Sequence, residues 1–110
     1  MRIILPMLAA LALSFPLSTL AEGDAEAGRV KAYTCTGCHG IPGYNNIYPT
    51  YKVPKIGGQN YAYLVAALKA YRAEQRDHAT MHLQAAALTD QDIEDVAAYF
   101  VSISAEGATE

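Results

Sequence analysis

The sequence predicts an all-α fold of about three to four helices in one small domain. In the segments 60–74 and 90–103, apolar residues recur at spacings of three and four, which is the period of a helix with one buried face. No run of residues shows a clear strand pattern. Residues 35–39 read Cys-Thr-Gly-Cys-His, and positions i, i+3 and i+4 of a helical turn lie on one face. We therefore expect the helices to pack around a ligand that this turn holds.

Residues 1–21 are predicted to be a cleaved signal peptide. Arg2 provides a positive start, residues 3–20 are mostly apolar, and Ala21 is the small residue that a signal peptidase prefers before the cut. An uncleaved anchor would need about 20 uninterrupted apolar residues, whereas two prolines interrupt this stretch. Cleavage after about Ala21 would leave residues 22–110 as an exported domain with no stable membrane insertion.

The mature domain would keep 89 of the 110 residues, a size that buries only a modest core. A large apolar ligand at its centre would supply packing surface that the chain lacks. The net charge of this part is −4, from 7 basic and 11 acidic residues with the histidines neutral. An acidic balance of this kind argues against a general nucleic-acid role.

The first predicted helix spans 25–33 and leads into the Cys-Thr-Gly-Cys-His turn, with Asp24 as its N-cap. Gly28 lies inside this helix, where glycine costs about 1 kcal/mol relative to alanine. A close crossing by another helix is a physical reason for glycine at this position. After the turn, residues 40–58 are rich in Gly, Pro, Asn and Tyr, and we expect an irregular loop over one face of the ligand.

Two more helices are predicted in the second half of the chain. Asn60 caps a helix that continues to about Glu74, and Thr89 caps a last helix that continues to about Ile103. Asp92, at the third position of the last helix, completes a capping box with aspartate in place of glutamate. The residues expected on the buried face of the last helix are Ile93, Val96, Ala97, Phe100 and Ile103.

The turn at 35–39 carries the attachment signature of a c-type haem. Each thiol, of Cys35 and of Cys38, can add to a vinyl group of the porphyrin, and the neutral imidazole of His39 can bind the iron as its proximal ligand. Haem is joined to such motifs outside the cytoplasm, which agrees with export to the periplasm. Cys35 and Cys38 are the 2 cysteines of the chain, so the sequence predicts a single covalently attached haem c.

Other interpretations of the cysteine pair are weaker. A thioredoxin-like redox pair would lie between a strand and a helix, and the sequence supplies no clear strand for it. A zinc site would need a second pair of ligands at finger spacing, and His78 and His82 lie too far downstream.

The sixth position on the iron has three candidate ligands, all in the stretch 77–88, which we expect to be a loop between the last two helices. They are His78, Met81 and His82. A thioether from Met81 would raise the reduction potential and keep the iron six-coordinate. A lone methionine is more often a core gap-filler, and His82 is a stronger Lewis base, so the residues alone leave these alternatives open.

Four stretches of the chain together resemble a class I cytochrome c over essentially the whole mature length, and in particular the single units of tandem diheme cytochromes c. The first is Gly28 followed by Cys-Thr-Gly-Cys-His-Gly, and the second is Val-Pro-Lys-Ile-Gly-Gly-Gln at 53–59. The third is the helix at 63–72. The fourth is Met81, followed by Leu-Thr-Asp-Gln-Asp-Ile at 88–93 and Ala-Ala-Tyr-Phe at 97–100.

This resemblance implies a small cytochrome c fold and assigns roles to several residues. It implies that Met81 is the distal ligand and that the carbonyl of Pro54 faces the ring N–H of His39, which fixes the tautomer and strengthens donation to iron. It further implies that Ile56 packs on the haem. The helix crossing at Gly28 is expected to involve one of two aromatic residues, Tyr99 or Phe100.

Two features depart from the commonest pattern of the family. The segment 41–52 is longer and richer in tyrosine than in short relatives, and Tyr44, Tyr48 and Tyr51 either cover the haem edge or fill a small core. His82 directly follows the expected ligand, either as a bystander or as a replacement ligand under other conditions.

Two classes of function share this iron. The first, which we favour, is an electron carrier with both axial positions filled, because no general acid, nucleophile or substrate pocket can be identified and the chain is not expected to be an enzyme. Its expected partners are redox proteins, namely a periplasmic dehydrogenase, an oxidase or another cytochrome, either in solution or within a larger oxidoreductase complex. The alternative is a haem with a displaceable distal ligand, for small-ligand binding or peroxidatic chemistry.

Overall fold

The computed structural model describes residues 23–41, 43–48 and 50–103, and the predicted signal peptide lies outside them. Within these ranges the chain forms five helices and one short hairpin, so the predicted all-α class is confirmed with one small addition. The elements in chain order are α1 (Ala25–Lys31), α2 (Tyr33–His39), β1 (Asn45–Ile47), β2 (Thr50–Lys52), α3 (Tyr61–Arg72), α4 (Ala79–Ala86) and α5 (Asp90–Ser102).

The three predicted N-caps are confirmed. A side-chain oxygen of Asp24 accepts hydrogen bonds from the first turn of α1, and the side-chain oxygen of Asn60 accepts one from Tyr63 N at 3.0 Å. At the start of α5, Thr89 Oγ1 accepts from Asp92 N at 3.1 Å while Asp92 Oδ2 accepts from Thr89 N at 3.0 Å. This reciprocal pair is a capping box, and it satisfies two backbone donors that a helix start otherwise leaves open.

The first helix ends earlier than predicted. Residues 25–33 were expected to form one helix, but α1 stops at Lys31, and the haem motif lies on a separate helix, α2. Ala32 separates the two, with φ −79° and ψ 4°, and its side chain is completely buried. The break between α1 and α2 thus falls at a residue that is buried in the core.

Helices α1 and α5 cross at Gly28. A Cβ at this position would collide with the backbone of Asp95 and lie 3.0 Å from Cβ of Tyr99. Of the two aromatic residues expected at the crossing, the contact with Tyr99 is confirmed. Glycine is therefore present because the two helix backbones approach too closely for any side chain.

The core lies on the inner face of α5. Ile93, Val96, Ala97 and Phe100 are buried as predicted, and Ile103 is partly buried. Ala32 and Leu64 pack with three of these residues in one apolar cluster. The side chains of Cys35 and Ile56 pack against the cluster from its edge, so the core connects directly to the haem motif and to the 53–59 segment.

The buried carboxylate of Asp95, on α5, binds residues at both ends of α1. The Asp95 side chain, on a residue only 3% exposed, accepts hydrogen bonds from Lys31 Nζ at 2.6 Å, from Asp24 N at 2.8 Å and from Gln91 Nε2 at 2.9 Å. Lys31 Nζ also lies 2.8 Å from Oδ1 of Asp92. Each acceptor atom of the buried group thus has a partner, which is the condition under which a buried charge is tolerated.

The expectation of an irregular loop over 40–58 is wrong for part of that segment. Strands β1 and β2 pair antiparallel, with Asn45 opposite Lys52 and Ile47 opposite Thr50. Each strand has only three residues, too few to produce a recognisable alternation in the sequence. Tyr51 of β2 also contacts Thr80 of α4, which lies 29 residues further along the chain.

The stretch 77–88 was expected to be a loop, and this expectation is also wrong. It contains helix α4, with His78 as the N-cap residue and Met81 in the first turn. Histidine is not among the residues that usually cap helices, which is why the start of α4 was missed. Among the described residues, none of the helices has the length and hydropathy that a membrane crossing requires.

Candidate functional site

Helix α2 places the three residues of the motif on one turn. Cys35 is partly buried against the core, whereas Cys38 is exposed, and neither sulfur belongs to a disulfide. Burial raises the pKa of the Cys35 thiol. Two free thiols at positions i and i+3, with a histidine at i+4, form a donor set suited to one flat ligand on one side of the helix.

A backbone carbonyl orients His39, which the sequence predicts to be the proximal ligand. Nδ1 of His39 lies 2.6 Å from the carbonyl oxygen of Pro54, the contact that the family resemblance implies. A carbonyl oxygen can only accept, so Nδ1 must carry the hydrogen in this bond. In the neutral imidazole this bond selects the tautomer in which the lone pair of Nε2 is available for iron.

The segment that carries Pro54 is itself anchored to the core. The side chain of Ile56 packs against the apolar cluster, and Gly58 N donates to the carbonyl oxygen of Phe100 at 2.8 Å. Gly58 has φ +74°, a backbone conformation that glycine adopts at little cost. These contacts tie the segment to the end of α5 and hold the Pro54 carbonyl in place for His39.

A cavity of about 690 Å³ opens beside this segment. Its lining includes Val53 and Pro54, together with the exposed lysines Lys52 and Lys55. The cavity therefore combines an apolar wall with positive charge at its rim, close to the residue that orients His39.

His82, one of the three candidates for the sixth position, is engaged with the end of α3. Its Nδ1 lies 2.9 Å from the carbonyl oxygen of Tyr71, and its Nε2 lies 3.6 Å from Oε1 of Glu74. Both ring nitrogens thus face groups of the α3 terminus. Through these contacts His82 connects α4 to the end of α3.

His78 also has a defined structural partner. Its Nδ1 accepts a hydrogen bond from the backbone N–H of Met81 at 3.3 Å. Its ring meets Tyr51 edge-on at a centroid distance of 4.8 Å and Tyr71 at 6.2 Å. The side chain of Met81 itself is partly buried, in the first turn of α4.

The three tyrosines of the 41–52 segment have different surroundings. Tyr48, at the tip of the hairpin, is 94% exposed, whereas Tyr44 and Tyr51 are partly buried. The Tyr51 hydroxyl donates to Thr80 Oγ1 at 3.1 Å, a contact that sequence reasoning missed. The high tyrosine content of 41–52 was the sequence signal here, but it does not identify Thr80, 29 residues further along the chain, as the partner.

Comparison with known proteins identifies the family of the chain. The model of the Cytochrome c family matches residues 25–104. The chain belongs to the cytochrome c family. This cytochrome c is 45% identical over 83 residues to cytochrome c-554(548) of Halomonas halodenitrificans, a match that covers 73% of the chain and 96% of that relative.

Longer relatives match this cytochrome c over part of their length. It is 38% identical over 98 residues to cytochrome c4 of Pseudomonas aeruginosa, covering 87% of the chain and 47% of that protein. Cytochrome c4 of Stutzerimonas stutzeri is also 38% identical, over 91 residues that cover 42% of it. The chain therefore spans less than half of the cytochromes c4 and nearly all of cytochrome c-554(548).

The residues of this cytochrome fit the cofactor of the family. Cys35 and Cys38 are free thiols at the required spacing, and His39 has the tautomer that iron ligation needs. The cytochrome therefore carries one covalently bound haem c. Membership of the family and this cofactor make it an electron-carrying haem protein.

Proposed function

We propose that this protein is a periplasmic monohaem electron carrier whose iron has His39 and Met81 as its axial ligands. The observation that carries the proposal is the engagement of both competing histidines. His82 turns its ring nitrogens to the end of α3, and His78 uses Nδ1 to cap α4, so both histidines have protein partners and Met81 is the remaining candidate.

The haem supplies a one-electron Fe(II)/Fe(III) couple, and the protein residues set its properties. The Pro54 carbonyl holds the imidazole of His39 in one orientation and makes Nε2 a better donor. A thioether from Met81 favours the ferrous state and so raises the reduction potential. With both axial positions filled by protein groups, little rearrangement accompanies electron transfer, and we do not expect an enzymatic activity.

The proposed partners are other redox proteins, that is, a dehydrogenase, an oxidase or another cytochrome. The positive rim formed by Lys52 and Lys55 lies beside the segment that orients His39, and it suits a weak, salt-sensitive contact with an acidic surface. Charge reversal at both lysines should weaken the salt dependence of electron transfer to such a partner. Equal salt dependence in wild type and variant would exclude this surface.

The periplasmic location depends on the signal peptide at residues 1–21. Expression of the full chain in a bacterium with a haem-attachment system should give a mature periplasmic protein whose first residue is near Glu22. An intact N-terminus in the membrane fraction would contradict cleavage.

The axial ligation is tested by spectroscopy of the holo-protein. The ferric form should show the sulfur-to-iron charge-transfer band of methionine ligation, and the ferrous form should not bind carbon monoxide readily without denaturant. Met81→Ala should abolish the band, lower the reduction potential and open the sixth site while haem stays attached. Leu83→Ala is the matched control, because Leu83 is on the same helix and 71% exposed. Unchanged spectra and potential in Met81→Ala would assign the sixth position to His82 instead.

A further inference from the structure

The β1–β2 hairpin contacts the first turn of α4, where Met81 lies. The hydroxyl of Tyr51 donates to Thr80 Oγ1 at 3.1 Å, and Thr80 is the residue immediately before Met81. The ring of Tyr51 also meets the ring of His78 edge-on at 4.8 Å. One tyrosine of the hairpin thus touches both the N-cap and the second residue of α4.

His78 occupies a central place between the hairpin and α3. Its Nδ1 accepts from the N–H of Met81, and its ring faces Tyr51 on one element and Tyr71 on another. The bond to the backbone of Met81 fixes the start of the helix. The ring contacts hold the histidine itself, since edge-to-face aromatic pairs prefer defined geometries.

We propose that Tyr51 and His78 are positioning residues that hold Met81 in place for the iron. This inference rests on the proposed role of Met81 as the sixth ligand. The contacts are made to the turn that carries Met81, so they favour the methionine-bound state over any state in which that turn has shifted. Loss of a helix cap changes such an equilibrium by roughly twofold to thirtyfold, and loss of one neutral hydrogen bond by roughly twofold to twelvefold.

Displacement of Met81 by added imidazole measures this effect directly. Ferric holo-protein is titrated with imidazole, and the methionine charge-transfer band reports the fraction of iron that retains the thioether. His78→Ala and Tyr51→Phe should each lower the half-displacing imidazole concentration about fivefold, within the ranges expected for a cap and a hydrogen bond. Thr80→Val should act like Tyr51→Phe, and the double variant should show no further loss, because the two residues share one bond.

Two further variants separate positioning from general damage. His78→Asn keeps a side-chain oxygen that can cap the helix, so it should recover most of the resistance that His78→Ala loses. Tyr48→Phe removes a hydroxyl from the same hairpin at a residue that is 94% exposed, and it should match wild type. If His78→Ala does not fold, the comparison of Tyr51→Phe, Thr80→Val and their double variant still decides the question.

The outcomes distinguish this inference from the ligand assignment on which it rests. A wild-type protein without the methionine band would refute Met81 as ligand and the positioning role with it. A wild-type protein with the band, together with Tyr51→Phe and His78→Ala variants within twofold of its half-displacing concentration, would overturn the positioning role alone.

Discussion

Replacement of Asp95 by alanine should strongly destabilise this cytochrome, although the residue lies far from the haem motif in sequence. The carboxylate is almost completely buried and accepts three hydrogen bonds, of which that from Lys31 Nζ is an ion pair at 2.6 Å. Removal leaves the N–H of Asp24 without its acceptor and leaves Lys31 with Asp92 as its ion-pair partner. Both effects weaken the contact between α1 and α5.

The size of the loss follows from these contacts. Hydrogen bonds to charged groups are worth about 1.5–3 kcal/mol each. Because Gln91 and Lys31 retain other partners or water, we expect the free energy of unfolding to fall by about 3 kcal/mol, less than the sum of three full bonds. For a domain of this size the corresponding decrease in Tm is about 12–24 °C. Asp95→Asn keeps the shape and one acceptor oxygen, and it should lose roughly half as much free energy.

The assay is urea unfolding of the ferric holo-protein, followed by circular dichroism at neutral pH. Asp90→Ala is the matched control, because Asp90 is on the same helix and pairs with Arg72, but its side chain is 67% exposed. Exposed ion pairs contribute about 1 kcal/mol or less. Free energies of unfolding for Asp95→Ala and Asp90→Ala that agree within about 1 kcal/mol would refute the reasoning.

Three further predictions concern the helix crossing, acid stability and haem attachment. Gly28→Ala should lower the free energy of unfolding by about 1–3 kcal/mol, because the new Cβ forces α1 away from the Asp95 backbone despite the better helix propensity; a gain in stability in urea unfolding would contradict the close crossing. Hydrogen bonds and ion pairing lower the pKa of Asp92 to about 2 and also lower that of Asp95, so the stability these groups add is complete above the ordinary carboxyl pKa of 3.8 and is lost as the pH falls toward about 2. Thermal unfolding between pH 6 and pH 2 should show this decrease, and a flat profile would argue against it. Cys35→Ser and Cys38→Ser should each leave at most one thioether bond, which the spectrum of the alkaline pyridine complex detects; a spectrum identical to wild type would contradict two-point attachment.

Local rules predicted the starts of three of the five described helices correctly, those of α1, α3 and α5. Asp24, Asn60 and Thr89 are residues that satisfy the free N–H groups at a helix start, and this chemistry involves only neighbours in the chain. Gly28 was informative in another way, because glycine lowers helix stability and its presence inside a helix indicated a close crossing, although not the residues of α5 that it contacts. For the three caps, the structural cause and the sequence signal lie within a few residues of each other.

The hairpin and α4 could not be predicted because their causes are distant in sequence. The strands are short, and β2 is fastened to α4 through Tyr51 and Thr80, which lie 29 residues apart. Helix α4 begins at a histidine whose capping role depends on ring contacts with other elements. The contact of His39 with Pro54 was expected only from the family resemblance, because nothing in the spacing of 15 residues indicates it.

The packing of α1 on α5 brings together residues 71 positions apart, since Asp24 N donates to Asp95. A contact over this separation carries a closure entropy that the packing of the two helices must offset. In the proposed export, which begins at the N-terminus, the thiols of α2 would emerge before α5 arrives to cover the core. On that proposal, the order of the elements would present the cysteines for haem attachment before the domain closes around them.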